Sequence, residues 1–202
     1  MPLEDSLTAV RCTTTENAGS NYFTEVESMN IPIQGDIKVS NCVWGVRGGR
    51  NKEYRYVLSR VWSAQKDRLV FIGLNPSTAD EKFDDPTVRR CVNFAKTLGY
   101  GSMTMLNIFA LRSTDPKKLQ IHQCPVGPLN DEFIMSETLL CDTIVAWGNH
   151  GRLFDRGDEV IRMLESAGRK MLCLGQNVDG SPKHPLYLKK DLPLVKFKLR
   201  ST

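Results

Sequence analysis

Four short apolar runs in the second two thirds of the chain, with polar loops and helical segments between them, constrain the fold more than any other feature. RLVFIGL (68–74) leads through a turn into PTVRRCVNFAKTLG (86–99), where Val88, Cys91, Val92 and Ala95 recur at helical spacing and Gly99 suits the end cap. The order then repeats. SMTMLNIFA (102–110) reads as a strand and a helix is expected near Asn130 to Leu140; TIVAWG (143–148) is a strand, Asp155 to Ala167 a helix stopped by Gly168, and KMLCLG (170–175) a further strand. Strands alternating with helices predict an α/β fold: a three-layer sandwich whose central, mostly parallel sheet is covered on both faces.

The rest of the chain adds to this core. Residues 1–35, rich in Thr, Ser, Asn and Glu without a clear period, read as an irregular arm, and residues 36–202 as one α/β domain. At the start of that domain, IKVSNCVWGV and YRYVLSRVW flank the turn RGGRNK, which predicts an N-terminal β-hairpin. A chain of 202 residues accommodates one core of ordinary size. No run of 18 apolar residues is present and the N-terminus lacks the order of a secretory signal, so a cytoplasmic protein that does not cross a membrane is expected. The six cysteines have no CxxC pairing, which fits neither zinc nor an iron–sulfur cluster; reduced, partly core cysteines are expected. No P-loop or GxGxxG is present, so no nucleotide cofactor is expected. The net charge of +4 is mild and leaves the distribution of basic residues to decide about nucleic acid.

In open sheets of this kind ligands bind beyond the carboxyl ends of the strands. There the sequence places Asn-Pro-Ser-Thr-Ala-Asp (75–80) after the first run, Asn107 within the second, Trp147-Gly-Asn-His-Gly at the end of the third, and GQNVDGSPKHPLYLKK (175–190) after the fourth. All four ends offer polar groups on the same side, suited to a small planar ligand. Each has a plainer reading. Asn-Pro is an ordinary turn, Asn107 a satisfied structural amide, Trp147 a core filler, and His184 a structural histidine.

GLNPS (73–77), MLN (105–107), WG (147–148) and HPLY (184–187), in that order, resemble the motif series of the uracil-DNA glycosylase superfamily. Over roughly residues 50–190 the chain is also similar to an α/β family known as DUF1643. The glycosylase resemblance implies a uracil-DNA glycosylase-like fold and a pocket formed by Gly73, Leu74, Pro76, Ser77, Asn107 and Trp147. In it Asn75 orients the attacking water, Asn107 reads the pyrimidine edge and His184 polarises the base. The chemistry suits these residue types, because the transition state has an oxocarbenium-like sugar and an anionic leaving base. The implied reaction is monofunctional: hydrolysis of an N-glycosidic bond in DNA to leave an abasic site.

Where uracil-specific enzymes follow the Asp-Pro pair with Tyr, this chain has Ser77, which implies a pocket open to a 5-substituted pyrimidine of the kind found in modified phage DNA, and hence a role in antiphage defence. Phosphate contacts are expected from Arg89, Arg90, Lys96, Arg112, Lys117, Lys118, Lys183, Lys189 and Lys190, with a solvated surface as the alternative. Leu186, Tyr187 and Leu188 are candidates to fill the gap left by a flipped base, and Phe83, Phe94 and Phe109 are available to stack on it. Asp80, Asp84 and Asp85 lack paired metal-ligand spacing and read as solvated or helix N-terminal acids. Two other functions remain open: a hydrolase or transferase acting on free modified nucleotides, and a non-catalytic module that recognises modified DNA.

Overall fold

The computed structural model of the chain describes residues 22–29, 39–47, 51–189 and 192–199. It is an α/β structure built on one mixed sheet of eight strands. These are β1 (Tyr22–Met29), β2 (Val39–Arg47), β3 (Asn51–Val61), β4 (Arg68–Gly73), β5 (Ser102–Asn107), β6 (Asp142–Val145), β7 (Met171–Cys173) and β8 (Val195–Lys196), in the spatial order β1-β2-β3-β5-β4-β6-β7-β8. The helices are α1 (Pro86–Thr97), α2 (Lys117–Ile121), α3 (Asn130–Glu137) and α4 (Arg156–Ser166), with 3₁₀ turns at Asn149–Asp155 and Pro185–Tyr187.

The alternating segments account for the parallel part. β5, β4, β6 and β7 run parallel, and β4 lies between β5 and β6. All of Leu69, Val70, Phe71 and Ile72 are fully buried, at about 1.5–3 kcal/mol for each such side chain. Successive residues of β4 feed opposite faces. Leu69 and Phe71 pack with Val88, Cys91 and Phe94 of α1, whereas Val70 and Ile72 pack with Ile134 of α3 and Val160, Ile161 and Leu164 of α4. α1 begins where expected because Asp85 caps it, accepting from the Val88 N–H at 2.8 Å, with Pro86 in its first turn. It ends at Gly99, whose φ of +89° is a conformation that glycine takes without strain.

The sheet is not mostly parallel. The pairs β1–β2, β2–β3, β3–β5 and β7–β8 are antiparallel, four against the three parallel pairs β4–β5, β4–β6 and β6–β7. The link between β3 and β4, residues 62–67, is too short for a helical crossover, and β3 lies antiparallel on the far edge of β5. The expected hairpin strands, β2 and β3, therefore extend the same sheet from the edge of β5. Within the segment expected to be an irregular arm, Tyr22–Met29 is a strand, paired to β2 over its whole length. The rest of that arm lies outside the described residues.

Among the described residues no helix is long and apolar enough to cross a membrane. Cys42, Cys91 and Cys173 are buried and Cys124 and Cys141 half-buried; Cys91, Cys124, Cys141 and Cys173 are free thiols.

Candidate functional site

The chain leaves β4 through α1 to reach β5 on one side, and leaves β5 through α3 to reach β6 on the other. The connections after β4 and β5 thus depart to opposite sides of β4, and a crevice opens beyond the carboxyl end of that strand. It is a cleft of about 900 Å³. Of the pocket and loop residues expected from the sequence, Leu74, Asn75, Ser77, Asn107, Trp147, Lys183, His184, Leu186 and Tyr187 all line it. Gly73 and Pro76 stand just behind the wall. Residues more than a hundred positions apart are brought together because four strand ends open on one side.

Asn107 ends β5 and is 1 % exposed, yet among the described residues neither its amide nitrogen nor its amide oxygen has a hydrogen-bond partner. An unpaired buried amide costs about 1–3 kcal/mol, so a side chain placed in this way takes its partner, water or ligand, from the cleft. Gly73 makes room for it: a Cβ at that position would stand 3.0 Å from Asn107 Oδ1 and 2.5 Å from Met105 Cε. The backbone is held from the other side. Asn130 Nδ2 donates to the carbonyls of Asn107 (2.9 Å) and Ile108 (3.1 Å), and the buried Arg156 donates from Nε to Ile108 (2.9 Å). Arg156 is fixed in turn by Asp131 and Glu159. The amide of Asn107 is therefore presented by a rigid support.

The Asn-Pro loop is similarly fixed. Asn75 Nδ2 donates to the carbonyls of Pro76 (3.0 Å) and Ser113 (2.8 Å), which uses both amide hydrogens and leaves Oδ1 as the free group of the side chain. The Pro76 carbonyl also accepts from the Ser113 N–H at 2.9 Å. Arg112, expected to contact DNA, instead donates to the carbonyls of Ser77 (3.0 Å) and Thr78 (3.3 Å) and lies over the Trp44 ring. It braces the loop. Trp147 is 3 % exposed and fills the space that Gly151 and Gly157 leave; a Cβ on Gly151 would fall 2.0 Å from its Cδ1. It is both core filler and cleft wall.

His184 precedes a one-turn helix and caps it: Nδ1 accepts from the Leu186 N–H at 3.3 Å, which places the proton of the neutral ring on Nε2. Burial holds its pKa below the usual 6.5, against a smaller opposing effect from Asp85. Arg90 donates to the Leu188 carbonyl and stacks on Phe94, which ties this loop to α1. Arg89 donates to the Asp84 carbonyl. These two arginines, like Arg112, donate to backbone carbonyls within the protein. Lys183 lines the cleft, Lys189 is exposed, and Lys190 lies outside the described residues. Tyr187, 89 % exposed, stands at the rim.

None of the three phenylalanines available for stacking lines the cleft. Phe94 and Phe109 are buried in the two cores and Phe83 is exposed elsewhere. Trp147, His150, His184 and Tyr187 are the aromatic side chains that do. The acids have structural partners: Asp80 accepts from the Lys82 and Phe83 N–H groups, Asp84 pairs with the buried Arg60 at 2.7 Å, and Asp85 caps α1. Among the described residues no group of three His, Cys, Asp or Glu side chains is arranged to hold a metal. Arg55, Asp85 and Thr87 line the cleft without having been picked out as pocket residues, since nothing in a local pattern shows that a hairpin arginine and a helix cap face the same space as Asn75.

A family model described as "Protein of unknown function (DUF1643)" matches residues 55–186, a span that holds most of the cleft. No curated protein and no solved structure matches the chain.

Proposed function

The chain belongs to the DUF1643 family, and with that membership as premise we propose that it is a monofunctional DNA glycosylase with a three-layer, uracil-DNA glycosylase-like fold. Its substrate is a 5-substituted pyrimidine in DNA and its product an abasic site. The observation that carries this reading is Asn107: a rigidly held amide, donor and acceptor both buried and unpaired, at the end of the cleft's central strands. The pairing edge of a pyrimidine offers one acceptor beside one donor, and would satisfy both atoms at once.

In this reading the flipped base lies against Asn107. His184 donates from Nε2 to a base carbonyl and stabilises the negative charge that grows there as the C1′–N1 bond breaks. Asn75 accepts through its free Oδ1 from a water that attacks C1′; the water oxygen stays on the sugar and its proton passes to the departing base or to solvent. A neutral amide suffices, because the sugar becomes a strong, oxocarbenium-like electrophile as the base departs. Ser77, small and at the cleft wall, leaves room for a group on C5. Cleavage of modified phage DNA by a host enzyme of this kind would serve antiviral defence, through abasic sites that stall replication.

The test is to incubate the protein with plain, uracil-containing and hypermodified DNA and to score alkali-labile sites and released base. Base release from the modified DNA is expected, and inactivity on all three sinks the reading. Asn75→Ala and His184→Ala should each lower cleavage by about 10²–10³-fold with DNA binding retained. One observation favours a second reading, a hydrolase of free modified nucleotides: Arg89, Arg90 and Arg112 are engaged within the protein. Salt-insensitive, weak binding to duplex DNA together with turnover of the free nucleotide would favour it.

A further inference from the structure

Arg55, on β3, is 2 % exposed and lines the cleft. Among the described residues its guanidinium makes one hydrogen bond, from Nη1 to the Ala79 carbonyl at 2.8 Å, and its Nε is buried with no partner. The edge formed by Nε and Nη2, which accepts two oxygens of an oxyanion in parallel hydrogen bonds, is open. Among the described residues no carboxylate stands within ion-pairing distance; Asp85 acts on Arg55 only through space, with one oxygen committed to the Val88 N–H. Cys42 and Asp85 favour its charged form and Arg60 and Arg112 oppose it, and with the histidines set aside the cleft carries Arg55 and Lys183 against Asp85. Burial works against the charged guanidinium and pushes its pKa down, a cost that an anionic ligand offsets.

We propose that Arg55 is the phosphate-binding residue of the cleft, holding two oxygens of a phosphate on the nucleotide whose base meets Asn107. This deepens the nucleotide-site reading above and rests on it. Arg89 and Arg112 donate to loop carbonyls, and Arg90, whose Nε is also buried without a partner, does not line the cleft, whereas Arg55 has a free edge inside the site. The phosphate is either a diester of a DNA strand or the monoester of a free nucleotide, and both present the same pair of oxygens.

The assignment is tested by calorimetric titration of the full chain, Arg55→Gln, Arg55→Lys and Asn107→Ala with thymidine, thymidine 5′-monophosphate, inorganic phosphate and a ten-residue thymidine oligodeoxynucleotide. Melting curves show that each variant is folded. The wild type is expected to prefer a phosphorylated probe over thymidine by about tenfold, and Arg55→Gln to lose that preference. Arg55→Lys, with the charge but without the fork, should recover only part of it. A loss confined to the oligodeoxynucleotide assigns the edge to a DNA phosphodiester; a loss shared by the monophosphate assigns it to a nucleotide monoester. Equal affinity of the wild type for thymidine and the phosphorylated probes overturns the assignment, and so does a preference that survives in Arg55→Gln. In either case, thymidine binding that disappears in Asn107→Ala leaves the base-site reading standing. Failure of every probe to bind overturns both.

Discussion

At Asn107, stability and function pull in opposite directions. Its amide is desolvated without compensation, so Asn107→Leu, apolar and of similar volume, is expected to leave the melting temperature unchanged or raise it while abolishing binding of a pyrimidine. A structural, satisfied Asn would instead cost about 1–3 kcal/mol on replacement. Differential scanning calorimetry with and without ligand separates the two. His184 gives a pH signature of its own. Its folded pKa lies below the unfolded value of 6.5 because burial disfavours the cation, so the unfolded chain binds the proton more readily between those two values. Its contribution is complete above pH 6.5 and is lost as pH falls toward the folded pKa. Wild type should therefore lose melting temperature more steeply than His184→Asn as pH is lowered from 7 to 5. Parallel curves would show that the ring is not held neutral by the fold.

The elements that matter most are held by buried arginines whose partners are distant in sequence. Arg60 on β3 donates to Asp84, Ser40 Oγ and the Asp80 carbonyl, and so pins the acidic loop that leads into α1. Asp84→Ala leaves that guanidinium buried and unpaired, and should cost about 3 kcal/mol, or about 6–12 °C in melting temperature for a chain of this size. A loss within about 1 °C would place the pair in a solvated setting instead. The extents of α1 and α4 follow from apolar spacing and end signals, Asp85 and Gly99 for the first and Gly168 for the second. The short α2 and the two-residue β8 carry too few periodic residues to be read in this way.

For the molecule as a whole, the sheet order decides which cations can meet a ligand. If all nine basic residues suggested by the sequence touched phosphates, the logarithm of duplex affinity would fall against the logarithm of salt with a slope of about −8. With three arginines engaged internally, the six lysines that remain and Arg55 limit the slope to about −6, measured by fluorescence anisotropy between 50 and 200 mM salt. A slope near −8 would mean that those arginines release their carbonyls on binding. The amino-acid sequence by itself determined the strands and helices from residue 68 onward, α2 and β8 excepted, and the polar residue types at each strand end, because periodicity and caps are local and survive in one dimension. It also held Asn75, Asn107 and His184 in view, since polar residues beside apolar runs stand out. Tertiary structure alone decided that the antiparallel strands join the same sheet, that Asn107 goes unpaired while Asn75 spends its amide hydrogens on backbone, and that Arg112 braces a loop while Arg55 faces the cleft. A hydrogen bond's partner is a matter of three-dimensional proximity, and for these side chains it comes from elements as many as 38 residues away in the chain.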